Sequence, residues 1–293
     1  MTMSKRLLTT DIYRRMSVAV VLVAITQTLA AQEVVDSVLY RFCYTSAIRR
    51  IENKKPRIDE HWLDIGRNGV SKYHSRAEYD RTQLADSVRR AGGTTQDILN
   101  AHHREQLPTP NMKYVCMKNC PAEGTQTVYW HGLESYKFAD QSSPQWTLLD
   151  GDTIILGHAC HKAEASYNGR KWTAWYAEDI AISDGPFRLC GLPGLVMSAY
   201  DRNGDVRFDC FAICTDVHDA ITLPEGKYST TTPEKLERAI VRLESDPLGS
   251  VTRYMDMKGV KANVRTASGA GTTGQASEKP VLIERYTEPY ERE

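Results

Sequence analysis

Three Asn-Gly dipeptides, at 68–69, 168–169 and 203–204, constrain this chain more than any other feature. A two-residue loop with positive φ at both positions matches the twist of the strands it joins, so each dipeptide between apolar runs marks a β-hairpin. Around Asn168-Gly169, residues 153–167 are expected to pair with residues 170–182, which sets Tyr167 opposite Arg170, Lys162 opposite Trp175, Cys160 opposite Ala177 and His158 opposite Asp179. Ala163, Ala165, Trp172, Ala174 and Tyr176 then share one face, the expected core face. Around Asn203-Gly204 the same arithmetic sets Ala199 opposite Phe208, turns Cys210 inward, and puts Cys214 on the same side by simple alternation.

Further strands are expected at 37–46, 62–73 with a turn at Asn68-Gly69, 127–131, 135–139 and 145–149, and a last short one at 280–286. Helices are fewer. Residues 80–90 stop at Gly92-Gly93, 95–104 follow a threonine cap, and 234–243 follow Thr232-Pro233, a cap and a first-turn proline. The predicted class is mainly β (α+β): an antiparallel, strongly curved sheet or open half-barrel with a few helices packed on it.

At the N-terminus Lys5, Arg6, Arg14 and Arg15 precede an apolar run over 16–25 and the small residues Ala30 and Ala31. That is the pattern of a Sec signal peptide over 1–31. The run is shorter than the roughly 20 apolar residues a membrane span needs, and no later stretch approaches that length. Residues 32–293 are read as a single β-rich domain, with a flexible Gly/Thr/Ser-rich loop at about 266–278. Export places the protein in the periplasm, at the outer membrane, or outside the cell. Removing four basic residues and one acid leaves a slightly acidic chain, without the basic footprint of nucleic-acid binding.

Seven cysteines, Cys43, Cys116, Cys120, Cys160, Cys190, Cys210 and Cys214, are candidates for structural disulfides in an oxidising compartment, and the odd number leaves a thiol over. Spacing does not decide which pair.

The segment Gly185-Pro-Phe-Arg-Leu-Cys-Gly-Leu-Pro-Gly-Leu-Val196 resembles the signature of the GLPGLI family, Porphyromonas-type cell-envelope proteins of Bacteroidota without an established activity; valine stands where the family name has its last isoleucine. Trp62-Leu-Asp-Ile-Gly-Arg67, Ser71-Lys-Tyr-His-Ser75, the run from Gly157 to Gly185-Pro186, and the tail after Tyr286 resemble further parts of the family in the same order. The chain departs from that pattern at Ala181, at Glu288, and by carrying Cys116, Cys120 and Cys214. The resemblance implies an envelope setting, with an outer-membrane receptor or assembly as a partner.

No Gly-x-Ser-x-Gly, His-Glu-x-x-His or phosphate-loop motif occurs, so no catalytic residue and no cofactor is assigned. Gly191, Pro193 and Gly194 are turn formers first; their alternative role is to turn backbone amides toward a ligand. His158 and Cys160 on one strand face, with Asp179 across the hairpin, are the candidate metal ligands. Trp172, Trp175 and Tyr176, with the signature turn, are the candidate ligand surface. The functional expectation is a non-catalytic exported protein binding an apolar ligand or an extended peptide in the hollow of a curved sheet. By architecture such a sheet resembles periplasmic lipoprotein carriers. The alternatives are a metal-binding protein and an accessory subunit of an outer-membrane assembly.

Overall fold

A computed structural model describes residues 32–52, 54–259 and 280–286. The strands β1 (Val34–Ile48), β2 (Arg57–Gly66) and β3 (Ser71–Ser75) lead into the helices α1 (Arg76–Arg90) and α2 (Thr95–Arg104). Then come β4 (Tyr114–Lys118), β5 (Gln126–Trp130), β6 (Tyr136–Asp140), β7 (Thr147–Ile155), β8 (His158–Tyr167), β9 (Arg170–Ala177), β10 (Leu195–Asp201), β11 (Val206–Cys214), β12 (Ala220–Thr222) and β13 (Ser229–Thr230). The helices α3 (Pro233–Ser245) and α4 (Pro247–Met257) follow. The strands make one sheet in the order β13, β6, β5, β4, β3, β2, β1, β11, β10, β9, β8, β7, with β12 paired to β1 beside that path. Its pairings are antiparallel except β13 with β6, so the sheet is mixed, and no pairing closes it.

The hairpin at Asn168-Gly169 has the expected register: Tyr167 pairs with Arg170, Lys162 with Trp175 and Cys160 with Ala177. Its φ angles of 47° and 73° are both positive, as such a loop requires. Leu156 and Gly157, at 53° and 86°, make a second turn of this kind. The strand expected over 153–167 is therefore split between β7 and β8. At 68–69 and 203–204 only the glycine has positive φ. Asn68 is instead held by Asp36, which accepts from its backbone N–H and its amide, both at 2.9 Å.

One bulge corrects a predicted facing. Cys43 on β1 pairs with Ala212, and the next residue, Tyr44, pairs with Cys210, so Phe211 is the extra residue on β11. An extra residue reverses the alternation beyond it. Cys210 joins the core beside Tyr44, while Cys214, opposite Arg41, lies on the other face. The segment expected as a final strand makes one bridge, Pro280 to Ile51, and otherwise runs without strand pairing. β4, β12, β13 and α4 are further elements beyond those expected. The proposed signal peptide and the Gly/Thr/Ser loop lie outside the described residues.

The inner face carries the core: Phe42 and Tyr44 of β1, Leu63 and Tyr73 of β2 and β3, Trp172 and Tyr176 of β9, and Phe208 of β11. Ala163, Ala165 and Ala174 are buried on that face, as the alternation predicts. The opposite face of the central strands is polar. Arg41 donates to both oxygens of Asp64, at 2.6 and 3.0 Å, and packs over Trp62 with its guanidinium carbon 4.0 Å from the ring centroid. His74 Nε2 lies 3.3 Å from Asp64, and Tyr79 of α1 covers Trp62.

Burial of Asp64 opposes its charge, but the hydrogen bonds from His74 and Arg41 outweigh it and hold the carboxyl below its ordinary value. Burial holds His74 below its own ordinary value and keeps it neutral. Both depressions have one sign: the unfolded chain binds the proton at higher pH than the folded one, so acid favours unfolding. Stability is expected to decline as pH falls below about 6.5, where an unfolded histidine takes up its proton, and further below about 4 as Asp64 protonates. Urea titrations between pH 8 and 3 measure this; His74→Gln should flatten the upper limb and Asp64→Asn the lower.

Candidate functional site

The signature segment folds inward. Phe187, Arg188, Leu189 and Leu192 are buried, so this segment packs against the sheet as part of the core. Backbone geometry explains its glycines. A Cβ on Gly194 would sit 1.9 Å from the carbonyl oxygen of Ala177, and Gly191 has φ +94°. Gly191 and Pro193 are exposed and Gly194 is buried against β9. Asp184 anchors the start of the segment. It forms an ion pair with buried Lys118 and accepts from Ser71 Oγ at 2.5 Å, while Lys118 also donates to the Gly185 carbonyl at 2.7 Å. Burial acts against the charge on Lys118, and Asp184 outweighs it, so the amine stays above its ordinary pKa.

Arg188 is the hub of this arrangement and, at 0% exposure, among the largest fully buried side chains. It pairs with Asp140 at the end of β6 and with Glu284, at 3.1 Å, in the C-terminal segment. It also donates to the Tyr286 hydroxyl at 2.6 Å and lies 5.4 Å from the Tyr167 ring centroid. Tyr167 of β8 in turn donates to the Ser142 carbonyl at 3.0 Å. Strands near opposite ends of the sheet order thus meet at one guanidinium. Glu284 beside it outweighs desolvation and keeps Arg188 charged. Arg170, which its position after the turn suggests to be exposed, is buried as well; it donates to the Ile283 carbonyl at 3.0 Å and to the Leu282 carbonyl, and pairs with Asp201. Two buried arginines therefore hold residues 282–286 against the sheet. Nothing in the periodicity marks them, because a lone arginine beside a turn reads as solvated.

The other sequence candidates fall in different places. His158 Nδ1 lies 2.7 Å from Asp179, an exposed pair across the hairpin mouth. The Cys160 thiol is buried and donates to the His158 carbonyl at 3.5 Å. The three do not converge, and among the described residues no group of three His, Cys, Asp or Glu side chains is placed to hold a metal. Trp172 and Tyr176, at 3% and 2% exposure, are core residues; only Trp175 is half-buried. They offer no common surface to a ligand, because the strand face that groups Trp172 with Tyr176 turns Trp175 away. All seven cysteines are thiols. The expected disulfides are therefore not formed: Cys116, Cys160 and Cys210 are buried thiols whose pKa burial pushes up, and Cys43 and Cys214 are neighbours across β1 and β11.

An open cavity of about 480 Å³ lies elsewhere, bounded by Ser75 and Glu78 at the start of α1, the segment 109–115, the residues 131–133 after β5, and Leu243, Pro247 and Val251 of α3 and α4. Met112, Tyr114, Val115, Leu133, Leu243 and Val251 give it an apolar wall, and Arg50, Arg81 and Lys113 give it cations. Arg50 pairs with Glu244, and Arg81 donates to the Leu107 carbonyl at 3.5 Å. Lys113 is exposed and makes no ion pair among the described residues. A second recess of about 210 Å³ shares Leu133 and Leu243 with it and continues along α4 to Tyr254 and Met257. Asp246-Pro247, a cap and a first-turn proline like Thr232-Pro233, is the sequence signal that marks the start of α4.

A family model described as "Protein of unknown function (Porph_ging)" matches residues 110–198, which run from the cavity segment through the signature into β10. The matched stretch covers less than half of the chain. No curated protein matches the sequence. Among solved structures, PNGF-II in space group P21 and in space group C2 each align with a TM-score of 0.43 and 14% identity, over 70% of this chain and 33% of theirs. The chain spans about a third of the length of those structures.

Replacing Arg188 by methionine keeps much of its volume and strands Asp140 and Glu284 without their cation. The expected loss is about 3–5 kcal/mol of unfolding free energy, the cost typical of breaking a buried pair. Urea denaturation measures it, and Arg188→Met combined with Glu284→Gln should recover part of the loss. A single variant as stable as the parent would show the hub to be dispensable.

Proposed function

We propose that this is an exported cell-envelope protein of the GLPGLI type that acts by binding, and that its ligand is an apolar chain bearing an acidic group. The observation that carries this reading is the cavity between α1, the segment 109–115 and the α3–α4 pair. Its volume of about 480 Å³ falls within the roughly 300–1,000 Å³ usual for small-molecule sites, and an apolar wall with a few placed polar groups is their usual lining. Lys113, without an ion pair among the described residues, supplies the charge that would meet a carboxylate or phosphate. Contacts through Arg188 between β6 and β8 support a rolled sheet, yet the signature segment packs against it as part of the core. The site we assign therefore lies on the flank of the sheet and not inside it.

The accessory-subunit reading has its own support. β7 is an end strand of the sheet, and Leu148 and Ile154 on it are 57% and 76% exposed. An open strand edge with apolar side chains is a surface that an extended partner segment can pair with.

Native against denaturing mass spectrometry of the chain purified from its own host, followed by displacement of a fluorescent fatty acid, tests the cavity. A mass lost on denaturation and displacement that Leu133→Glu weakens at least tenfold, about 1.4 kcal/mol, is the expected result. Lys113→Glu should weaken binding of a carboxylate-bearing probe more than that of its neutral ester. No bound mass and no fatty-acid binding would reject this site and leave the strand edge, which cross-linking in the host addresses.

A further inference from the structure

Cys43 and Cys214 lie on the face of the sheet turned away from the signature loop. β1 places Cys43 beside Trp62 of β2 and opposite Ala212 of β11; Cys214, two residues further, is opposite Arg41. The two are diagonal neighbours on one face, and a negative charge on Cys214 opposes ionisation of Cys43. Cys43 is buried, with burial the main cause that pushes its thiol up to about 12. Cys214 is half-buried, which gives an exchange partner access to one sulfur of the pair.

We infer that Cys43 and Cys214 form a reversible cross-strand disulfide by exchange with an external disulfide, either a small molecule or a protein. The step balances: the more accessible Cys214, as thiolate, attacks the external disulfide and releases one thiolate; Cys43, losing its proton, then attacks the mixed disulfide and releases the second. Two protein thiols are oxidised and one external disulfide is reduced to two thiols.

Geometry accounts for the reversibility. Diagonal neighbours on an antiparallel pair stand about 7–8 Å apart, just beyond the span of about 4.4–6.8 Å that disulfides favour between Cα atoms. The bulge between Cys43 and Tyr44 supplies local twist, so the strands can close the gap at the cost of some strain. A strained bridge is more easily reduced than a relaxed one. Closure would tie the end of β11 to β1, where Arg41 already pairs with Asp219 at 2.9 Å and the Asp219 carbonyl accepts from Val38.

The inference rests on the export reading only for the source of the oxidant. Reduced full-length protein is incubated with oxidised glutathione, alkylated in denaturant and peptide-mapped. The expected product joins the Cys43 and Cys214 peptides, lacks two hydrogens, and returns to dithiol in reduced glutathione; Cys43→Ser leaves Cys214 as a glutathione adduct or alkylated. Alkylation of both cysteines in the oxidised parent would overturn it, as would a Cys160–Cys210 bridge formed in its place. Localisation of the chain in its host is scored separately: a bridge formed in vitro by a protein that stays in the cytoplasm sustains the pairing and removes the export reading.

Discussion

The arrangement of this protein depends on a positive charge that has no water. Arg188 sits within the core between β6, β8 and the C-terminal segment, and burying a guanidinium is tolerable only when carboxylates and hydrogen-bond acceptors surround it. Asp140 at the end of β6 supplies one, and Glu284 and the Tyr286 hydroxyl of the C-terminal segment supply the others. The pairing therefore specifies a topology more than it adds stability. Residues near 140, 188 and 284 must all be in place before the charge is satisfied. Arg170 repeats the device beside it, with Asp201 and the carbonyls of Leu282 and Ile283.

That constraint explains why the signature segment is rich in glycine, proline and leucine yet carries no acid, base or nucleophile beyond Arg188 and Cys190. The loop has to enter the sheet's interior, deliver Arg188, and leave against the backbone of β9 with no room for a Cβ at Gly194. Leu189 and Leu192 complete the packing around it. Binding, if the flank cavity serves it, is then separated from the most recognisable part of the sequence.

Much of the sheet was legible because period-two alternation and Asn-Gly turns are local signals. The pairing of Lys162 with Trp175 and the inward facing of Trp172 and Tyr176 follow from counting outward from one turn. Counting failed wherever the ladder changed phase without a sequence mark. Phe211 is one unremarkable residue, yet it sends Cys210 and Cys214 to opposite faces. Leu156-Gly157 makes a turn that leucine does not advertise, and β7 was undercounted for that reason. The candidate site was legible least, since it is assembled from the segment 109–115, the end of β5 and a helix pair with long separations in sequence.

The two faces of the central strands divide the protein's chemistry between them. Inside, charge is locked: Lys118 with Asp184 and Arg188 with Glu284 are buried partners whose ionisation the fold itself maintains. Outside, around β1 and β2, Arg41, Asp64, His74 and Trp62 form a partly covered layer that ends at the half-buried Cys214. A locked interior cannot respond to pH or redox state without unfolding. The outer layer is less closed, because Cys214 at its edge is half-buried. The outer layer and the flank cavity meet at the end of β3, where Ser75 caps the helix and lines the cavity at once.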